Sequence, residues 1–308
     1  MNAGMNLRTL SKTISQIENR EGDYLKVLAK LYSQRRGAPI LGITGLPGAG
    51  KSTLVDQLIH HLRGLKKSAG VIAIDPSSPF TGGALLGDRV RMQRHATDDG
   101  VFIRSLGSRG AHGGLSAATR DIAVCLDAFG FDQIIIESVG VGQTELDIMG
   151  LATTTVVVLV PEAGDAVQTL KAGLMEIADI FVVNKADRPG AKEMKTMLEE
   201  VAYGSRYHMQ LPVVLTQADK GMGVEELWNR VGQHAEILVK DSMHARHQES
   251  LRKAQFLEMC GEMAKREFEK KFTTDKKLKH LLEEVLEKVG SEKINPYEAL
   301  AKISKTII

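Results

Sequence analysis

Between residues 39 and 240 the hydrophobic period switches back and forth. Short β-branched runs alternate with stretches whose apolar residues recur every three or four positions, and few folds accept that alternation. The runs at 40–44, 71–75, 101–104, 133–137, 155–160, 180–184 and 213–216 read as strands, several apolar almost throughout. That is the pattern of strands covered on both faces. The stretches at 51–63, 116–129, 166–177, 191–202 and 224–238 read as helices. The alternation predicts an α/β fold with a mostly parallel sheet flanked by helices. In such sheets ligands sit at the carboxyl ends of the strands, and every chemical motif below falls at one of those ends.

Helical patterns flank this region. Residues 1–36 read as two short amphipathic helices, the first with Leu7, Leu10, Ile14 and Ile17 on one face, the second with Leu25, Leu28 and Leu31. The first twenty residues show no h-region of a signal peptide. Residues 241–308 are rich in Lys and Glu and helical in period, with breaks at Gly290 and Asn295-Pro296. Leu251, Phe256, Leu257, Met263 and Phe268 predict one apolar stripe there, which packs on the core or reaches a second subunit. The chain thus divides into an N-terminal helical arm (1–36), an α/β domain (37–240) and a C-terminal helical extension (241–308).

Forty Lys and Arg against 38 Asp and Glu leave a formal charge of +2 over 308 residues, so no strong field marks nucleic acid or an anionic membrane as partner. No run approaches the roughly 18–20 apolar residues of a membrane span. Two cysteines, Cys125 and Cys260, provide neither a disulfide framework nor a CxxC metal site. A cytoplasmic location is the expectation.

Gly45-Leu46-Pro47-Gly48-Ala49-Gly50-Lys51-Ser52 matches GxxxxGK[ST] in full, between a strand and a helix, with Thr53 next in line. Its glycines let successive N–H groups converge on a phosphate chain, Lys51 reaches the β- and γ-phosphates, and the Ser52 hydroxyl ligates Mg²⁺. Asn184-Lys185-Ala186-Asp187 follows the sixth strand. An Asp there accepts two hydrogen bonds from the edge of guanine that adenine cannot reproduce, and a Lys stem covers the base face. GTP is therefore expected over ATP. Thr216-Gln217-Ala218, after the seventh strand, is placed to brace the base from the other side. Asp75 and Glu137 close the second and fourth strands and Asp88 follows a glycine-rich stretch. Carboxylates so placed can hold Mg²⁺ or its waters; a turn residue at Asp75 and a helix N-cap at Asp88 are the alternatives.

With these motifs on the page, the chain resembles the MeaB/ArgK/MMAA family, P-loop GTPases that chaperone adenosylcobalamin-dependent acyl-CoA mutases such as methylmalonyl-CoA mutase. The resemblance is carried by the P-loop and by Asp75-Pro76-Ser77-Ser78. It is carried further by Gly82-Gly83 with Leu86-Gly87-Asp88 and Arg91-Met92, by Arg109-Gly110 with Gly113-Gly114, by Glu137-Ser138-Val139-Gly140-Val141-Gly142-Gln143-Thr144-Glu145, and by the Asn184 motif. It implies a G domain of the SIMIBI class, a C-terminal dimerisation arm and a homodimer. It also implies a mutase partner whose cofactor loading and protection are gated by GTP, with no cobalamin bound to this chain directly. The family's acidic trio maps onto Asp75, Asp88 and Glu137. Its mobile segment maps onto 161–171, where Ala163-Gly164-Asp165-Ala166-Val167-Gln168 lacks one glycine and one acid of the usual pattern. Gln143 is a candidate to orient water, and Arg109 and Lys171 are candidates to swing in when the partner docks. Slow hydrolysis alone and activation by the partner follow as expectations.

Three other readings compete. A nickel-insertion GTPase shares the P-loop and the guanine motif but wants a His-rich or Cys-based metal site; here His60-His61 are adjacent and face apart. A kinase acting on a transport protein would want ATP, which Asp187 opposes. A dimeric scaffold merely stabilised by nucleotide is the third. Cys125 and Trp228, on apolar helix faces, read as core residues.

Overall fold

The computed structural model describes residues 6–75, 93–95, 97–107, 114–138, 150–162, 177–201, 211–240 and 242–307. All seven expected strands are present: β1 (Ile40–Gly45), β2 (Ala69–Asp75), β3 (Val101–Gly107), β4 (Gln133–Glu137), β5 (Thr154–Leu159), β6 (Ile180–Val183) and β7 (Val213–Leu215). They form one sheet in the order β3-β2-β4-β1-β5-β6-β7, every neighbouring pair parallel. Because β1 lies between β4 and β5, the chain leaves it in one direction to build β2 to β4 and returns on its other side for β5 to β7. The crevice at such a reversal is where open α/β sheets bind ligands.

The strands are apolar on both faces because both faces are covered. On β5, Val156 and Val158 join the core beneath α3 (Lys51–Gly64) and α6 (Val224–Lys240), while Val157 and Leu159 point the other way, towards α5 (Ala191–Val201). On β2, Val71 faces α3, whereas Ile72 and Ile74 join a cluster with α1 (Leu7–Glu18) and α4 (Gly114–Phe129). This is the period-two alternation of a strand with two hydrophobic faces.

The N-terminal arm packs on the sheet domain. Asn6 caps α1 by accepting from the Thr9 N–H at 3.0 Å, and Leu10, Ile14 and Ile17 of α1 are buried against α4. Burying three such side chains contributes roughly 1.5–3 kcal/mol each. After α2 (Tyr24–Ser33) the backbone N–H groups of Arg36, Gly37 and Ala38 all donate to the Asp127 carboxylate near the end of α4, at 2.9, 3.2 and 3.0 Å. That side chain fixes where β1 begins.

The chain forms two compact units, one ending at Lys240 and one starting at Asp241. The second is helical: α7 (Ser242–Thr274), α8 (Lys276–Gly290) and α9 (Pro296–Ile307), around a small core of Phe272, Val285, Ala299 and Ile303. Asp275 caps α8 by accepting from the N–H groups of Lys277 and Leu278. Along α7, Phe256 and Leu257 are 63% and 70% exposed, and Met263 and Phe268 are exposed as well. Among the described residues no helix is long and apolar enough to cross a membrane.

Candidate functional site

The loop after β1 is held by backbone constraints. Gly45 has φ +138°, and a Cβ there would lie 2.0 Å from the carbonyl oxygen of Val158 on neighbouring β5. Gly50, at φ +88° just before α3, leaves room for the Asn184 amide, which a Cβ would meet at 2.4 Å. These two glycines serve the packing of the loop against β5 and β6 as well as its curvature. Lys51 opens α3 and is 6% exposed; its Nζ donates to the carbonyls of Gly45 and Leu46 at 2.8 and 3.0 Å. The ammonium is therefore held by carbonyls of the loop itself. Ser52, equally buried, donates from Oγ to Oε1 of Glu137 at 2.6 Å.

Glu137 ends β4, 4% exposed, one strand over from the loop. A hydroxyl and a carboxylate this close are hard oxygen donors of the kind Mg²⁺ takes, so this pair fits the ion expected here. Ser138, fully buried, donates to Oγ1 of Thr44 at 2.7 Å and pins the chain leaving β4 to β1. Asp75 is the last residue of β2. Asp88 and Gln143 lie outside the described residues, as do Arg109, Lys171 and all of 161–171 beyond residue 162.

The guanine motif is tied to the P-loop by side chains. Asn184, 3% exposed, donates from Nδ2 to the Ala49 carbonyl at 2.8 Å. Its Oδ1 accepts from Thr216 Oγ1 and from the Ala218 N–H, both at 3.0 Å. Lys185, at φ +56°, donates from Nζ to the Gly48 carbonyl at 3.0 Å. The Ala186 N–H donates to the Thr216 carbonyl at 3.0 Å. Gln217 pairs through its backbone with Met222 in both directions. Asp187, two residues on from Lys185, is exposed.

The structure therefore brings Gly45–Gly50, Lys51, Ser52, Glu137, Asn184, Lys185 and the Thr216-Gln217-Ala218 turn into one connected group at the carboxyl edge of the sheet. Thr216 and Ala218 hold Asn184, a role that the sequence reading, which gave them to the base, did not include. The cross-link from Asn184 to Ala49 was also missed; the one sequence signal for it is an amide side chain at the end of a buried strand. Away from the site, Cys125 is fully buried, and burial pushes its thiol up to about 12. Trp228 is half-buried, packed against the core over α3.

Comparison with known proteins places this geometry among relatives. The family model described as "Methylmalonyl Co-A mutase-associated GTPase MeaB" matches residues 10–277. A protein of Pyrococcus abyssi that carries the name GTPase is 45% identical over 311 residues, spanning 98% of this chain and 93% of that one. A protein of Cupriavidus metallidurans named fused isobutyryl-CoA mutase is 37% identical over 223 residues, which cover 69% of this chain but 20% of that much longer one. Among solved structures, one titled as a LAO/AO transport system kinase superposes with a TM-score of 0.68 at 24% identity, covering 98% of this chain and 94% of that one. At that identity the likeness concerns the fold.

Proposed function

Since the chain belongs to the family of methylmalonyl-CoA mutase-associated GTPases, we propose that it binds GTP in the loop of Gly45, Leu46, Pro47, Gly48, Ala49 and Gly50 and hydrolyses it in the service of an adenosylcobalamin-dependent acyl-CoA mutase. The observation that carries this reading is the buried meeting of Ser52 and Glu137 beside Lys51, with Asn184 binding the base-side loop to the phosphate-side loop.

In this reading the Lys51 ammonium exchanges the Gly45 and Leu46 carbonyls for phosphate oxygens, so its charge is delivered where negative charge accumulates. The loop N–H groups and the N-terminus of α3, with Thr53 in its first turn, add positive potential. Ser52, Asp75, Asp88 and Glu137 would hold Mg²⁺, which would supply positive charge to offset that of the phosphates. Gln143 orients the water that attacks the γ-phosphorus in line; the bond from that phosphorus to the bridging oxygen breaks, its electron pair leaves with GDP, and the water's proton departs with the phosphate. Asp187 accepts from guanine, the Lys185 stem covers the base, and Thr216, Gln217 and Ala218 close its other side.

Support for a mutase partner comes from the isobutyryl-CoA mutase relative, which carries a stretch similar to this chain within one polypeptide. The proposed work is to gate cofactor loading and protect the radical enzyme, in the cytoplasm, without binding cobalamin itself. The second helical unit is proposed as a homodimerisation arm. Hydrolysis by the isolated chain is expected to be slow, and methylmalonyl-CoA mutase or a close acyl-CoA mutase is expected to raise it about tenfold or more, as trans-acting partners of GTPases do. Lys51→Ala abolishes both rates. Hydrolysis indifferent to every such mutase, with the wild-type chain active, contradicts the chaperone reading.

A further inference from the structure

Helix α3 carries an acid at a buried position. Asp56 is 8% exposed, among Leu54, Val55, Leu58 and Ile59 on the helix that opens with Lys51 and Ser52. A carboxylate in such surroundings is costly unless it is paired, and Asp56 is paired twice over. Arg94 grips it as a fork: Nε donates to Oδ1 at 2.8 Å and Nη2 lies 2.6 Å from Oδ2, while Nη2 also donates to the Asp56 carbonyl at 3.0 Å. His95, 6% exposed, sets its Nε2 at 3.1 Å from the same carboxylate. Two-pronged pairing of this kind fixes orientation as well as distance.

The position of this clamp gives it meaning. Asp56 follows Ser52 by four residues, so the two are neighbours on one face of α3, one turn apart. Arg94 and His95 follow Asp88 in sequence by six and seven residues. The same stretch of chain is fastened to α3 a second time, farther from the P-loop. There Arg63 pairs with Asp98 at 2.8 Å and donates to the Lys67 carbonyl at 2.8 Å, and a Cβ on Gly100 would lie 2.2 Å from the Arg63 guanidinium. That outer pair also holds the chain entering β3. The inner pair satisfies the buried Asp56 carboxylate, and its fork also fixes how the chain at Arg94 and His95 sits on α3.

We propose that Asp56 is a positioning residue for GTP hydrolysis: through Arg94 and His95 it sets the turn at 93–95, six and seven residues on from Asp88 in sequence, against the helix that presents Lys51 and Ser52. This rests on the reading of Ser52 and its neighbours as the GTP and Mg²⁺ site. The reaction it serves is the hydrolysis already described, on which Asp56 acts through Arg94 and His95.

The test is single-turnover hydrolysis of GTP by the full chain across a Mg²⁺ titration, with GDP affinity in EDTA and the melting temperature measured on the same samples. Asp56→Asn and Arg94→Ala are each expected to slow turnover about ten- to hundredfold, the scale on which misplacement far from the reacting atoms acts, and to raise the Mg²⁺ needed for half-maximal rate. GDP affinity in EDTA stays within about threefold, since the loop that holds it is unchanged. Asp56→Glu, which keeps the charge, recovers part of the rate. Arg63→Ala melts earlier yet hydrolyses within about twofold of wild type. If Asp56→Asn does not fold, Arg94→Ala removes the same clamp from its exposed side. Unchanged turnover in Arg94→Ala, or an equal loss in Arg63→Ala, overturns the proposal and leaves the site reading intact. A wild-type chain that binds no guanine nucleotide overturns the site reading itself, and the clamp's role with it.

Discussion

At the scale of single residues, Asn184 is the side chain on which the candidate site turns. Its amide satisfies a carbonyl of the P-loop, a hydroxyl after β7 and an N–H of the turn that follows. Removing it strands all three buried groups at once. Asn184→Ala is expected to cost about 2–4 kcal/mol of folding stability, since each buried group left unpaired costs about 1–3 kcal/mol and water rescues part of it. Urea unfolding measures this, and a loss under about 0.5 kcal/mol, the size of an ordinary surface change, would contradict it. The P-loop glycines were legible in the sequence as phosphate-wrapping residues. Their second duty was not, because Val158, which excludes a Cβ at Gly45, lies on a strand more than a hundred residues away. Asp187 illustrates the converse: its type and spacing were readable, while its exposure is a property of the folded chain.

At the scale of elements, α6 shows how a helix is anchored away from the site. His234 on α6 places Nδ1 at 2.9 Å from Thr154 Oγ1, and its Nε2 lies 3.5 Å from Asp179, whose other oxygen accepts the Thr155 N–H at 2.8 Å. Burial pushes the imidazole down to about 4 from an ordinary 6.5. The folded chain thus refuses a proton that the unfolded chain takes up. This contribution to stability is complete above about pH 6.5 and is lost as the pH falls towards 4. Between pH 7 and 5 it amounts to about 1–2 kcal/mol after allowance for residual exposure. Urea unfolding at the two pH values should show that loss in the wild-type chain and a smaller one in His234→Gln; equal losses would contradict the assignment.

The elements themselves were largely legible, because period and β-branching decide them locally. Strand ends moved by one to three residues, as at β2, which starts at Ala69, and β3, which runs to Gly107. The division of the C-terminal segment at Asp275 was not foreseen, since only its capping hydrogen bonds distinguish that Asp from the other charges around it. Asp56 was passed over for a related reason: its neighbours are apolar, and the partners that make an acid tolerable there come from another part of the chain.

For the whole molecule, the sheet order explains why scattered motifs meet. With β1 between β4 and β5, the carboxyl ends of β1, β4 and β6 bring Ser52, Glu137 and Asn184 to one edge. Sequence reasoning placed each motif at a strand end without fixing which strands are neighbours. In the second unit the opposite holds: α7 bears an exposed apolar face that was readable as a pattern, but amphipathy does not specify a partner. The account as a whole depends on what the carboxyl edge binds. Calorimetric titration of the full chain with GDP and with ADP, each with Mg²⁺, tests that most directly. GDP should bind about a hundredfold or more tightly than ADP, because a site built to hydrogen-bond one base edge leaves its own groups unpaired against the other, and Asp187→Asn should narrow the gap. Equal binding of the two nucleotides, or no heat with GDP, would contradict it.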